Sequence, residues 1–219
     1  MTTVFIVRRG AQRMRATQAQ LEASRELRVL GVADTLYRAQ AALPKLDADT
    51  LLLDLRLEDG AALSLVRGLR QAHAERPKVL LVAADAADPL LFATLRAGAD
   101  AYLLEADVPT AAAALRRLLA GEAAMAAPIA AQMLNFFSEP LNAPAPLNER
   151  ALDWHSHAAN PMRLSPGECR LLRCLAEGSR GAELAARMAI SAEALGRRIG
   201  NIYRKLSWDV RSGSLALAA

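Results

Sequence analysis

Arg197, Asn201 and Arg204 are the residues of this chain whose type and spacing point most directly to chemistry. They fall within the stretch Ala192–Leu206, which reads as one amphipathic helix. Leu195, Ile199, Ile202 and Leu206 recur at i, i+4, i+7 and i+11, a stripe about 60° wide that must pack on a core. The opposite face presents Arg197, Gly200, Asn201 and Arg204, flanked by Arg198 and Lys205. Guanidinium and amide side chains suit hydrogen bonding to base edges and phosphates. The plain alternative is a solvated face with cations near a helix C-terminus, where the dipole favours them. Charge distribution sharpens the choice. Residues 163–219 carry ten Lys/Arg against five Asp/Glu, whereas residues 1–162 carry 17 against 18. A compact basic segment on a neutral body suits a polyanion.

Enzyme chemistry has little to stand on. The chain has no Walker loop, no nucleophile elbow and no G-x-G-x-x-G. His155 and His157 lie in a proline-rich stretch without carboxylate or cysteine support, so no metal site is expected there. His73 has no evident partner. No cofactor is expected. Cys169 and Cys174 would lie about 140° apart around one helix, so they should not pair. A reducing, cytoplasmic setting fits two free thiols. No apolar run reaches about 18 residues, so no membrane span is expected. The N-terminus lacks a basic region ahead of a long apolar stretch, so no signal peptide is expected either.

The elements that would position these residues divide the 219-residue chain into two parts. In the first, short apolar runs bounded by turn residues read as buried strands: 3–7, 28–32, 50–54, 78–83 and 101–104. Helical stretches alternate with them, near 11–26, 36–42, 61–74, 89–97 and 109–120. This alternation predicts βαβ units and an α/β fold with a parallel sheet covered on both faces, of the flavodoxin-like doubly wound kind. An Ala/Met-rich segment, 121–137, follows the last helix. Residues 138–162 hold Pro140, Pro144, Pro146 and Pro161 and read as a linker. From Arg163 the pattern is all-helical. Ser165-Pro166 with Glu168 has capping-box spacing, and helices are expected near 165–176, 182–189, 192–206 and 210–218. The expected domains are therefore 1–125, a helical extension and linker over 126–162, and a small all-α domain over 163–219.

The last part resembles the LuxR/NarL-type helix-turn-helix. The resemblance rests on Leu164-Ser165-Pro166-Gly167-Glu168, Leu171-Leu172, Leu175-Ala176-Glu177-Gly178, Glu183-Leu184-Ala185, Ile190-Ser191 and Asn201-Ile202-Tyr203-Arg204-Lys205-Leu206, about 55 residues in all. It implies that 192–206 is the recognition helix and lies in the major groove of double-stranded DNA. Arg197, Arg198, Asn201, Arg204 and Lys205 would then carry the DNA contacts. The family commonly has Thr-Val-Lys-x-His where this chain has Ala194-Leu195-Gly196-Arg197-Arg198. A usual base-reading lysine is thus Gly196, and a second usual contact position is Gly200. Glycine at both would let a backbone approach a groove closely. Arg197 is left as the main candidate for base readout.

The first part resembles the response-regulator receiver domain, through Leu51-Leu52-Leu53-Asp54-Leu55-Arg56-Leu57 and Arg96-Ala97-Gly98-Ala99-Asp100-Ala101-Tyr102-Leu103-Leu104. Asp54 matches the phosphoacceptor, beyond the carboxyl end of a parallel strand. Phosphoryl transfer to it needs Mg²⁺, which takes oxygen ligands. The family's acidic pair after the first strand is here Arg8-Arg9, its hydroxyl after the fourth strand is Ala83, and its lysine after the fifth is Glu105. Glu58 and Ala62 replace the usual proline and glycine after the acceptor. The expectation is a vestigial site in which Arg8 or Arg9 pairs with Asp54, and with Glu105, in place of metal and lysine. The alternative is that both arginines face solvent. Tyr102, at the aromatic switch position, lacks its hydroxyl partner and is either fixed in one rotamer or, the reading preferred, a half-buried strand aromatic. The chain is thus expected to be an atypical, phosphorylation-independent transcription regulator and not an enzyme. By the resemblance it would be a homodimer through its fourth and fifth helices, open to a protein or small-molecule regulator of the receiver. Two rival readings are a conventional regulator phosphorylated on Asp54, and an interaction module that titrates another regulator without touching DNA.

Overall fold

The computed structural model describes residues 1–73, 75–138, 163–179, 181–208 and 210–211. The first part builds a five-stranded sheet from β1 (Thr2–Val7), β2 (Leu27–Ala33), β3 (Thr50–Asp54), β6 (Lys78–Ala83) and β7 (Ala101–Leu104), in the order β2-β1-β3-β6-β7. Every neighbouring pair is parallel. All five residues of β3 are buried, as a central strand covered on both faces requires. Around the sheet run α1 (Ala11–Glu22), α2 (Leu36–Ala42), α3 (Ala62–Ala72), α4 (Pro89–Arg96) and α5 (Ala111–Leu119).

Three local differences from the sequence expectation have physical causes. Helix α1 stops at Glu22 and not at residue 26. The Leu27 N–H bonds back to Ser24 O, and the Thr2 N–H takes Glu26 O, so the chain must turn early to enter the sheet. The fifth helix begins at Ala111, because Pro109 lies inside a 3-10 turn, Glu105–Thr110, where it cannot donate to a helical ladder. A two-residue hairpin, β4 (Arg56–Leu57) with β5 (Gly60–Ala61), follows β3. Its residues are too few to leave a periodic signal.

Helix α6 (Ala127–Ser138) is separated from α5 by a seven-residue break that begins at Ala120, with Gly121 at φ +76°. Phe136 of α6 meets Phe92 of α4 edge-to-face at 6.2 Å, and the Arg96 guanidinium lies 4.7 Å over the same ring. These are favourable aromatic and cation–π geometries. Helix α6 also packs on α7 (Pro166–Ala176). The fourth helix, expected to face a second copy, thus meets α6 of its own chain through Phe92 and Arg96, while Pro89 and Arg96 remain exposed.

Helices α7, α8 (Gly181–Arg187) and α9 (Ala192–Leu206) form the C-terminal part. The capping box is made: the Glu168 N–H donates to Ser165 Oγ at 3.2 Å and the Ser165 N–H to Glu168 Oε2 at 2.6 Å. Ser191 caps α9 by accepting from Ala194 N–H. Leu195, Ile199, Ile202 and Leu206 are all buried. Val210 and Arg211 are helical; the rest of the last expected helix, the linker with His155 and His157, and Arg180 lie outside the described residues. No described helix is long and apolar enough to cross a membrane.

Candidate functional site

Parallel strands bring their carboxyl ends to one edge, and here that edge gathers Arg8 after β1, Asp54 at the end of β3 and Glu105 after β7. Arg8 is 2% exposed and Asp54 6%. Arg8 Nε donates to Asp54 Oδ1 at 3.0 Å, Nη1 to Thr17 Oγ1 at 2.7 Å, and Nη2 to Glu105 Oε2 at 2.6 Å. The second Asp54 oxygen accepts the Arg9 backbone N–H at 2.8 Å. One arginine thus fills its fork with two carboxylates and a hydroxyl, and Asp54 has both oxygens engaged. Arg9 enters through its main chain, while its side chain is exposed.

This arrangement can hold charge, but it offers little to a phosphoryl donor. A nucleophilic carboxylate needs one oxygen clear for attack and a cation bridging that oxygen to the incoming group. Here the cation is covalently part of the chain, and each of its three nitrogens already donates a bond. Burial pushes the Asp54 carboxyl above the ordinary range, opposed by the Arg8 guanidinium and the Arg9 N–H. Ala83 is buried and brings no hydroxyl. Across the mouth, Arg56 and Asp88 form a two-bond ion pair at 2.8 and 3.0 Å, tying the β4–β5 hairpin to the N-cap of α4.

Tyr102 is buried and turned to the α5–α6 break, where its oxygen accepts the Ala126 N–H at 2.8 Å. Burial raises its phenol above the usual value. The same strip of backbone meets α9. Tyr203, buried and held well above the ordinary tyrosine range by that burial, donates to Ala124 O at 3.0 Å. The Ala123 N–H donates to Gly196 O at 3.0 Å.

The glycines of α9 explain how this contact is possible. A Cβ on Gly196 would lie 3.1 Å from Glu122 Cβ, and one on Gly200 would overlap the carbonyl oxygen of Gly121. In the docked arrangement the chain that approaches these positions is the protein's own. The other half of the interface is ionic. Asp100 is buried and takes Arg70 Nη2 at 2.8 Å on one oxygen and Arg211 Nη2 at 2.9 Å on the other. Burial pushes the Asp100 carboxyl up, but Arg70, Arg211 and Lys78 together hold it below the ordinary range.

Of the residues expected to reach DNA, Arg197, Asn201 and Arg204 are exposed, and Arg204 donates to the Asn201 side chain. Lys205 departs from the expectation. Its ammonium bonds to Arg163 O at 3.0 Å and to Glu168 Oε2 at 2.7 Å, so it ties α9 to the capping box of α7. Arg198 is half-buried and has an interaction of its own. Sequence reasoning missed Asp100, Arg70 and Arg211 altogether. A pair of glycines one helical turn apart on an otherwise well-formed helix was the one available sign of the docking.

No family model matches the chain. The nitrate/nitrite response regulator protein NarP of Escherichia coli is 31% identical over 169 residues, 77% of this chain and 70% of NarP. A nitrate/nitrite response regulator homologue from Haemophilus influenzae is 27% identical over 171 residues, 77% of this chain and 73% of its own length. Among solved structures, a complex of the two-component response regulator RcsB with DNA matches at TM-score 0.53 and 20% identity, over 100% of this chain and 99% of that one. RcsB of Salmonella typhimurium matches at TM-score 0.52 and 20% identity, over 94% and 91%. These structures speak to the fold: a flavodoxin-like receiver domain followed by a helical C-terminal domain.

Proposed function

Because the chain belongs to the response-regulator family that includes NarP, we propose that it is a DNA-binding transcription regulator whose output does not depend on phosphorylation of Asp54. The observation that carries the DNA reading is the exposed Arg197/Asn201/Arg204 face of α9, on the side opposite the buried Leu195/Ile199/Ile202/Leu206 stripe. Arg197 reads bases, and Arg204 and Asn201 contact bases or phosphates of double-stranded DNA. The nucleic acid bound in the RcsB complex is in keeping with this reading. The receiver-like part spans 1–125, the extension and linker 126–162, and the reading domain 163–219. The protein acts in the cytoplasm, as a homodimer on paired half-sites.

The Arg8 geometry supports the reading of phosphate independence. A guanidinium with all three nitrogens engaged takes the position of the family's metal-ligating acidic pair, and the lysine position carries the carboxylate that helps to hold it. Control then acts on the docked interface. Gly196 and Tyr203 lie about 80–100° around the helix from Arg204, and Gly200 lies between them and the basic face, about 40° from Arg204. A major groove about 12 Å wide closes around both flanks of an inserted helix. The 121–124 strip stands on one of those flanks, in the place of a phosphate backbone. DNA reading therefore requires the two parts to separate.

A gel shift on genomic fragments at several salt concentrations tests the proposal. Specific binding with a steep salt slope supports it. Absence of binding even at low salt, also for the isolated 163–219 segment, favours the interaction module that titrates another regulator.

A further inference from the structure

A groove of about 610 Å³ lies at the far edge of the sheet from Asp54, between α2 with its following turn and α3. Its volume is in the range of small-molecule sites. Leu43, Leu46, Leu65, Leu69 and Pro77 line it. Gly68 of α3 leaves it open: a Cβ there meets nothing within 4 Å. Its rim is polar and unequal in charge. Lys45 and Arg76 stand against the single lining carboxylate, Asp47, with His73 beside them. Lys45 makes no ion pair among the described residues, and Arg76 is 69% exposed with one 3.3 Å bond to Asp49. The Thr3 N–H and hydroxyl hold the other Asp49 oxygen, Oδ2, so Arg76 shares Asp49 through Oδ1 with its remaining donors facing the rim.

The groove adjoins the interdomain ionic cluster. Leu69 precedes Arg70 on α3. Arg70 Nη2 donates to the carbonyl of the lining residue Pro77 at 2.9 Å, while the same nitrogen holds Asp100, whose other oxygen holds Arg211 of the C-terminal part. A molecule seated against Leu69 and Pro77 is thus three bonded contacts from the domain interface.

We infer that this groove is an effector site for a small amphipathic carboxylate, with its apolar body on the leucines and its anion on Arg76 and Lys45, and that occupancy strengthens the docked arrangement. The guanidinium–carboxylate pair supplies orientation, and apolar burial supplies most of the affinity. Occupancy favours docking only through a difference in affinity between the two states, and Arg70 supplies the link, because its Nη2 holds both Pro77 of the groove and Asp100 of the interface. The family's ligand position at the Asp54 edge is not involved.

The test uses the full chain, decanoate as probe and decanol as its uncharged control, with no DNA present. Leucine methyl NMR reads the groove, and hydrogen exchange of the Ala123 amide, which donates to Gly196 O, reads docking. Decanoate should shift the Leu43, Leu46 and Leu69 methyls saturably and bind at least tenfold tighter than decanol. Arg76→Ala should remove that preference. Gly68→Trp, which fills open space, should abolish the shifts while leaving the fold intact. Ala123 protection should rise at least threefold at saturation, and Arg211→Met should lose the rise. Shifts that never saturate, that match those of decanol or that persist in Gly68→Trp would overturn the site. Saturated methyls with unchanged or reduced Ala123 protection would overturn its coupling to docking.

Discussion

Gly200 of α9 rests directly on the carbonyl of Gly121, so that a single methyl added at Gly200 meets main chain. Four residues earlier, Gly196 gives its carbonyl to the Ala123 N–H. A helix surface without side chains lets one backbone lie on another, and the loss of helix propensity, about 1 kcal/mol per glycine, is offset by the contact.

Replacing Gly200 with alanine should therefore open the chain. The added methyl overlaps the Gly121 oxygen, and no flexible side chain is there to yield. Small-angle scattering should show a larger radius of gyration for Gly200→Ala, and fluorescence anisotropy should show severalfold tighter DNA binding. Unchanged dimensions would mean that the docked arrangement is not what the chain adopts in solution.

Arg8 should matter to stability far more than Arg9. Removing Arg8 leaves Asp54 buried without its counter-charge and Thr17 without its donor. The cost of breaking a buried pair from one side is about 3–5 kcal/mol. Urea melts of Arg8→Ala should show a loss of that order, whereas Arg9→Ala, whose contribution is a backbone N–H, should stay within about 0.5 kcal/mol of the parent. Equal losses would place the cluster's cation elsewhere.

Arg197→Ala should cost about 1–3 kcal/mol of specific binding and relax the preference at one or two base pairs. Arg204→Ala, if it touches phosphate, should weaken all sequences evenly and reduce the salt slope by about one. Lys205→Ala should act on the melting temperature before it acts on DNA, because its ammonium is held by Glu168 and Arg163 O.

Alkaline pH should loosen the interface through Tyr203. Burial raises its phenol well above 10.0 in the folded protein. An unfolded tyrosine loses its proton first, so stability is full below about pH 10 and falls as pH rises from there toward the raised folded value. Absorbance of tyrosinate should consequently lag in the folded chain and appear together with unfolding. Tyr203→Phe, which removes the bond to Ala124 O, should cost about 1 kcal/mol and abolish the Tyr203 part of that lag.

Most of the frame was legible in the amino-acid order, for reasons visible in particular residues. Leu51-Leu52-Leu53 is an uninterrupted apolar run because both faces of β3 are covered. Ser165-Pro166 with Glu168 marks a helix start by local chemistry alone. The Arg8–Asp54–Glu105 cluster could be anticipated because three parallel strand ends must meet at one edge. The interface left only one local sign, the glycines at 196 and 200. Arg211 and Asp100 are 111 residues apart, and nothing local distinguishes a buried Arg–Asp pair from two surface charges. The role of Lys205 was misread for the same reason: its partner Glu168 belongs to another helix, and a lysine near the end of a basic face looks solvent-bound until that helix is in place.

Fluorescence anisotropy of the full chain on its DNA site, with and without acetyl phosphate and Mg²⁺, for the parent and Asp54→Asn, weighs the central claim most directly. The account predicts four binding curves that coincide within about twofold, because the Arg8 guanidinium already holds Asp54. An acetyl phosphate-dependent gain in affinity that vanishes in Asp54→Asn would contradict it.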